Sequence, residues 1–301
     1  MNRPNKRGCL YWIRLLTIGI GGGLLFACVA IEVLYVETVV RPANGLVVGN
    51  PASRGVPYES VTLTGADGVR LAAWYIPSKN RAAVILLHGY GNNRAEMLDR
   101  AIALARHGYG LVLYDERGSG ESAATVRAMG WPDVVDVRVA LDWLAQRNEV
   151  DPARIGILGF SVGGQIALRA AAQDARLKGV IADDPGFVSV DDAPALNSAY
   201  EYLLYGVNWV DGKGVAWRSG VPQPEGMVKQ IPRIAPRPVL FIASGGPDQP
   251  GNRLVRYFYQ LASAPKNLWE IPETYHGGTF AARPLEYEER MTSFFDQALL
   301  Q

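Results

Sequence analysis

The feature that most constrains the fold is a regular alternation of short apolar runs with amphipathic helical segments, from residue 82 to the C-terminus. The runs lack the polar residue at every second position that a half-exposed strand would have. They cover residues 82–89, 109–116, 154–160, 177–184, 236–244 and 266–273. Strands that are apolar on both faces and alternate with helices are typical of a mostly parallel sheet covered by helices on both sides. The sequence therefore predicts an α/β fold of this kind.

Segments before and within this alternation set the predicted domain limits. Residues 60–77 are predicted to form a β-hairpin, because two alternating runs flank Asp67-Gly68, a pair that favours a tight turn. Residues 37–59 are rich in Gly and Pro and are interpreted as a linker. A long segment with many aromatic residues, at about 187–235, interrupts the alternation and is interpreted as a small lid. The predicted α/β domain thus spans residues 60–301.

Residues 1–36 combine a basic start with an apolar stretch, which predicts a transmembrane helix and the membrane as a partner. Arg3, Lys6, Arg7 and Arg14 precede an uncharged run at residues 15–31. As a helix this run covers about 26 Å, slightly less than a bilayer core, unless flanking residues extend it. Basic residues on the leading side favour a cytoplasmic N-terminus, with the α/β domain on the extracytoplasmic side.

Three interpretations of this apolar stretch remain open. It is an uncleaved signal-anchor, a signal peptide cleaved after Ala30, or a lipoprotein signal that leaves Cys28 acylated. Its length exceeds that of an ordinary signal-peptide core, which favours the uncleaved anchor.

Charge, cysteine and histidine content exclude several classes of function. A net charge of +1 and the lack of a basic run interleaved with aromatic residues argue against nucleic-acid binding. Cys9 and Cys28 both lie in the N-terminal segment, so the domain has no internal disulfide. Three scattered histidines and the lack of an H-E-x-x-H motif argue against a metal site, and we expect no cofactor.

Ser161 is the predicted nucleophile. It is the central residue of G-F-S-V-G at positions 159–163, between the apolar run at 154–160 and an alanine-rich helical segment. A serine at such a strand-to-helix turn is typical of a nucleophile elbow, in which small residues on either side avoid a collision. The N-terminal amides of the following helix would also favour negative charge there.

His276 is the predicted base, because a serine hydroxyl needs a nearby imidazole to become nucleophilic. It follows the last apolar run, in Y-H-G-G. His107 suits this role less well, because it lies at the end of a predicted helix, where a cationic side chain complements the helix dipole. His88, at the end of an earlier run, is interpreted as a structural or oxyanion-loop residue.

The predicted acid is Asp248, which follows the run at 236–244 and gives the chain order Ser, Asp, His. Asp184, at the end of the preceding run, is the main alternative. The backbone N–H groups of Tyr90 and Val162 are the predicted oxyanion-hole donors, since H-G-Y-G is a glycine-rich loop and Val162 follows the nucleophile.

From residue 60 onward the chain resembles the α/β-hydrolase superfamily. The resemblance rests on D-G-V-R-L, V-I-L-L-H-G-Y-G, Y-D-E-R-G-S-G-E-S, G-F-S-V-G-G, S-G-G-P-D-Q-P and Y-H-G-G, in the family's order. It is nearest to the serine aminopeptidase and prolyl oligopeptidase-like branch, which includes membrane-anchored members. The resemblance implies that the segment from Asp115 to Ser122 supports the active-site face, so Asp115 and Arg117 receive no catalytic role.

These features together predict a membrane-anchored serine hydrolase that cleaves a carboxylic ester or amide through an acyl-enzyme on Ser161. The substrate would be a small molecule, a lipid or a peptide with an acyl group. An acyltransferase that uses the same three residues is an alternative. A non-catalytic binding protein on the same fold is another, because fold does not fix function.

Overall fold

The computed structural model describes residues 6–41, 45–65, 67–123, 126–194, 196 and 198–301. Parts of four predicted segments lie outside the described residues, namely 1–5 of the N-terminal segment, 42–44 of the linker, 66 of the hairpin, and 195 and 197 of the lid.

Eight strands form one sheet, and its order places the strand before Ser161 near the centre. The spatial order is β1-β2-β4-β3-β5-β6-β7-β8. β1 and β2 form the predicted antiparallel hairpin, β2 is antiparallel to β4, and every other pair is parallel. The strands are β1 Glu59–Thr64, β2 Arg70–Ile76, β3 Ala83–Leu87, β4 Gly110–Tyr114, β5 Ile155–Phe160, β6 Leu177–Asp183, β7 Val239–Ser244 and β8 Lys266–Ile271. The prediction of a mostly parallel α/β sheet is confirmed.

Helices cover both faces of this sheet. The α-helices are α1 Lys6–Val40, α2 Leu98–Arg106, α3 Val134–Leu144, α4 Val162–Gln173, α5 Ala199–Ser219, α6 Met227–Gln230, α7 Pro250–Leu261, α8 Thr279–Ala282 and α9 Pro284–Phe295. Helices α3, α4 and α7 contribute to one buried apolar cluster, and α2 and α9 contribute to the other. Strands β3 to β7 are almost wholly buried, as uninterrupted apolar runs require. The chain therefore has the α/β-hydrolase fold.

Helix α1 extends beyond the predicted N-terminal segment and joins the domain. Residues 14–40 have a mean hydropathy of 2.0 and are long and apolar enough to cross a membrane. The side chains of Val36 and Val40 near its C-terminus are buried, whereas most of the preceding turns are exposed. Only the last turns of α1 thus pack against the α/β domain.

The region interpreted as a lid contains more regular structure than its sequence suggests. It includes α5, a helix of 21 residues, together with α6 and two short 3-10 helices, Val190–Asp192 and Ile231–Ile234. Helix α5 contacts α1, so the lid and the apolar N-terminal helix lie side by side.

Candidate active site

Ser161 lies at a strained turn between β5 and α4. Its backbone has φ 54° and ψ −116°, a conformation that non-glycine residues rarely adopt. A Cβ atom at Gly159 would lie 2.0 Å from the carbonyl oxygen of Gly163. At Gly163 it would lie 2.5 Å from the carbonyl oxygen of Leu87. Both glycines of G-x-S-x-G are therefore required by close backbone contacts, and the strain holds the Ser161 hydroxyl at the carboxyl edge of the sheet.

His276 lies on the loop after β8 and reaches Ser161 across the sheet edge. Its Nε2 is 2.9 Å from Ser161 Oγ, at hydrogen-bond distance. Its ring packs against the ring of Phe160, with 5.0 Å between the centroids. The His276 side chain is 58% exposed, so water reaches this pair.

The carboxylate that meets the imidazole is that of Asp184. Its Oδ2 lies 3.6 Å from His276 Nδ1, on the side opposite Nε2. Its Oδ1 accepts a hydrogen bond of 2.7 Å from the backbone N–H of Ser244. Asp184 directly follows β6, is almost fully buried, and has a φ of 46°. Burial, with the neighbouring negative charge of Asp183, raises the pKa of its carboxyl group.

The structure does not pair Asp248, the acid predicted from chain order, with His276. Asp248 is exposed in the turn between β7 and α7, and within the described ranges no hydrogen bond or ion pair joins it to His276. β7 ends at Ser244, and the turn after Gly245 carries Asp248 outward. Asp184, by contrast, follows the strand between β5 and β7 without any intervening loop. The geometry thus corrects the sequence-based choice of acid in favour of Asp184.

The two predicted oxyanion donors belong to segments that pack against each other. The contact of Gly163 with the end of β3 holds the first turn of α4 against the loop that carries Tyr90. Within the described residues, neither the Tyr90 nor the Val162 N–H donates a backbone hydrogen bond. A helix leaves its first amides without partners inside the helix. Both N–H groups are therefore available to a ligand.

His88 fixes the peptide unit that carries the Tyr90 N–H. Its Nε2 accepts a hydrogen bond of 3.0 Å from the Glu116 N–H, so its Nδ1 bears the proton and donates to the Gly89 carbonyl at 2.8 Å. That carbonyl and the Tyr90 N–H belong to one planar peptide unit. Burial lowers the pKa of His88 to about 4, which keeps the ring neutral at physiological pH. This agrees with the structural or oxyanion-loop interpretation of His88.

A buried network that sequence reasoning missed supports the loop of His276. Asp183 directly precedes Asp184. Its Oδ2 accepts hydrogen bonds from Arg100 at 2.6 Å, Tyr287 at 2.8 Å and Thr279 at 2.9 Å. Thr279 lies three residues after His276. The signal in the sequence was the pair Asp183-Asp184 at the end of an apolar run. Asp183 ties the loop to the core, while Asp184 faces the imidazole.

An apolar cavity lies between α1, α5 and the loops that carry Met129 and Phe187. Its lining includes Tyr35, Met129, Trp131, Phe187 and Val215. Gly130, between two of these residues, packs against Val162, and the N–H of Gly186 donates to the Ser161 carbonyl. The cavity therefore adjoins the segments that contact the nucleophile turn.

The described residues offer no group of three or more His, Cys, Asp or Glu side chains that could hold a metal ion.

Comparison with known proteins agrees with the fold and the sequence motifs. The model of the serine aminopeptidase family S33 matches residues 78–208. YfhR of Escherichia coli O157:H7 is 28% identical over 254 residues, which cover 80% of this chain and 81% of YfhR. The structure of the esterase Pf2001 of Pyrococcus furiosus has a TM-score of 0.70 and 24% identity, and the match covers 87% of this chain and 98% of Pf2001. The structure of PA2218 of Pseudomonas aeruginosa has a TM-score of 0.62 and 21% identity, over 81% of this chain and 94% of PA2218. The chain thus has the α/β-hydrolase fold of these structures, and its residues 78–208 match the model of the S33 serine aminopeptidase family.

Proposed function

We propose that the protein is a serine hydrolase that cleaves a carboxylic ester or amide through an acyl-enzyme on Ser161. The observation that carries this proposal is the distance of 2.9 Å between His276 Nε2 and Ser161 Oγ, in a chain where the two residues are 115 positions apart. Such a pair on a strained elbow activates a hydroxyl that is otherwise a poor nucleophile. The match to a hydrolase family supports the same class of reaction.

In the proposed mechanism, Ser161 Oγ attacks the substrate carbonyl while His276 Nε2 accepts its proton. Collapse of the tetrahedral intermediate releases the alcohol or amine, to which His276 returns the proton. Water then attacks the acyl-enzyme, with His276 again as the base. The carboxylate of Asp184, 3.6 Å from Nδ1, favours the tautomer with the proton on Nδ1 and stabilises the imidazolium that forms.

The N–H groups of Tyr90 and Val162 are the proposed donors to the oxyanion of the tetrahedral intermediate. Both lack backbone acceptors among the described residues and lie on segments in contact with each other. Donors held in place before the reaction stabilise the developing charge without reorganisation. The bond from His88 to the Gly89 carbonyl holds one of them in position.

The exposure of the catalytic pair favours hydrolysis over transfer to another acceptor. An acyltransferase must keep water from the acyl-enzyme, whereas the His276 side chain is 58% exposed and Ser161 is half-buried. The substrate's acyl group would occupy the apolar cavity beside Val162.

We further propose that α1 anchors the protein in a membrane as a single span, with the N-terminus in the cytoplasm and the hydrolase domain on the extracytoplasmic side. The large apolar side chains on residues 15–31 that the structure describes are exposed, an arrangement that calls for an apolar solvent. The basic residues before this stretch support the proposed orientation.

Labelling by a fluorophosphonate probe tests the proposed hydrolase. We expect the wild-type protein to be labelled and Ser161→Ala to be unlabelled, because only an activated serine reacts. A panel of p-nitrophenyl esters and aminoacyl amides then measures the preference between ester and amide. Labelling that persists in Ser161→Ala, or an unlabelled wild type that turns over none of the panel, would contradict the proposal.

A further inference from the structure

Helices α1 and α5 run side by side in the same direction. A Cβ atom at Gly214 would lie 2.6 Å from Val36 Cγ2, so the two helices approach closely at this glycine. One turn further along, Arg218 donates two hydrogen bonds, of 2.7 and 2.9 Å, to the carboxylate of Glu37. From the first contact to the second, the residue numbers increase in both helices, from Val36 to Glu37 in α1 and from Gly214 to Arg218 in α5. The two helices are therefore parallel.

Because the helices are parallel, the first half of α5 lies beside the part of α1 that the domain does not cover. An open groove of about 600 Å³ separates the helices there. Its walls are Cys28, Val29, Glu32 and Val33 of α1, and Tyr202, Leu203, Gly206, Val207 and Val210 of α5. Glu32 is the one charged residue among these.

The position of the groove along α1 identifies its occupant. Cys28 and Val29 belong to the apolar stretch that would span the membrane, and Glu32 marks the end of that stretch. One wall of the groove is therefore at the level of the outer leaflet. The facing wall on α5 carries exposed Tyr202, Leu203 and Val207, which would otherwise face water. Aromatic residues at this level are typical of the membrane interface.

The groove lies next to the apolar cavity that borders the active site. Glu32 lines the groove, and its carboxyl group lies next to that of Asp211, which lines the apolar cavity on the inner side of α5. That cavity extends along the last turns of α1 to Phe187 and Met129, beside the nucleophile turn. The carboxyl groups of Glu32 and Asp211 thus stand between the groove on the bilayer side of α5 and the cavity near Ser161.

We infer that the groove between α1 and α5 admits the acyl chain of a membrane lipid laterally, so that the substrate class is a long-chain acyl ester presented by the bilayer. This inference rests on the proposed hydrolase function and on the proposed anchor. Helix α5, in this arrangement, is a wall of the acyl path that touches lipid on one face and the active-site cavity on the other.

Two substrates of the full-length protein in phosphatidylcholine vesicles test this inference. One is 4-methylumbelliferyl oleate dissolved in the bilayer, and the other is 4-methylumbelliferyl acetate in the aqueous phase. The variants Val207→Trp and Gly206→Leu narrow the groove. A Cβ atom at Gly206 would have no atom within 4 Å, so there is open space for a side chain at this position. Val135→Trp on α3 is the matched control, since Val135 is 49% exposed and Val207 is 44% exposed.

We expect both groove variants to lower oleate hydrolysis by about 10-fold or more and to leave acetate hydrolysis within about 2-fold of wild type. Val135→Trp should change neither rate. Equal losses on both substrates, or an unchanged oleate rate, would overturn the lipid path. A wild type that hydrolyses acetate but not oleate would overturn it too, while leaving the hydrolase intact. A wild type active on neither ester and unlabelled by fluorophosphonate would overturn the hydrolase itself, and the lipid path with it.

Photo-crosslinking gives a readout that does not depend on turnover. A phosphatidylcholine with a diazirine on its acyl chain, placed in the same vesicles, should label the part of α5 that contains Tyr202 to Val210. Val207→Trp should reduce this labelling. Labelling confined to α1 would contradict a lipid-facing α5.

Discussion

At the scale of single residues, the contact between Asp184 and His276 decides which carboxylate orients the base. Asp184→Asn keeps the shape of the side chain but removes the charge that stabilises the imidazolium. We expect it to lower ester turnover by roughly 10³- to 10⁴-fold, as loss of the orienting acid does in serine triads. Asp248→Asn is the matched control and should keep turnover within about 2-fold of wild type, because Asp248 is exposed and the described contacts of the imidazole are with Ser161 and Asp184. Thermal unfolding of both variants checks that each is folded.

The opposite pattern, with turnover lost in Asp248→Asn and retained in Asp184→Asn, would restore the acid expected from chain order. The sequence could not separate the two residues, because both follow apolar runs whose carboxyl ends meet at one edge of the sheet. What separates them is the length of chain after each strand. Asp184 follows β6 at once, whereas Asp248 stands four residues beyond the end of β7.

A second prediction at this scale concerns Asp133. Burial and the negative charge of the nearby Asp136 raise the pKa of its carboxyl group from 3.8 to about 7. Below about pH 4 the carboxyl group is protonated in the folded and the unfolded chain. Between about pH 4 and 7 the unfolded chain loses this proton first, so the free energy of unfolding falls as pH rises. Asp133→Asn has no proton to lose. The melting temperature of the variant minus that of wild type should therefore be higher at pH 8 than at pH 4 by at least about 2 °C. A difference that is constant with pH would contradict the raised pKa.

At the scale of elements, the junction of β5 and α4 is set by close backbone contacts. A Cβ at Gly163 would lie 2.5 and 2.6 Å from the carbonyl oxygens of Leu87 and His88, so Gly163→Ala must push α4 away from β3. We expect it to lower the free energy of unfolding by at least about 2 kcal/mol and to abolish fluorophosphonate labelling. Gly251→Ala, in the first turn of α7, is the control, since no atom lies within 4 Å of its Cβ position. It should unfold at or slightly above the wild-type temperature. Equal stability of the two variants would contradict this account of the elbow.

The elements predicted from sequence are those whose apolar pattern follows from burial. The apolar runs became β3 to β8, and in β3 to β7 the pattern is uninterrupted because strands buried on both faces need apolar side chains at every position. Helix α5 was not predicted. Gly206, Gly212 and Gly214 lie within it, and its exposed Tyr202, Leu203 and Trp217 mask the periodicity that marks an ordinary surface helix. Helix α5 lies between two neighbours, α1 and the domain. The sequence of α5 alone does not show that either of them packs against it.

At the scale of the whole molecule, the remaining prediction is the orientation of the chain in the membrane. If the N-terminus is cytoplasmic, the surface of α9 faces the outside of the cell. A single cysteine at the exposed position of Glu289, with Cys9 and Cys28 replaced by serine, should react with a membrane-impermeant maleimide in intact cells. A matched protein that keeps only Cys9 should react after lysis alone, because Cys9 lies on the basic side of the apolar stretch. Labelling of Cys9 in intact cells, with Glu289→Cys protected, would reverse the orientation. A mature protein that lacks Cys9 altogether would show cleavage and remove the anchor, although Val36 and Val40 would still pack against the domain.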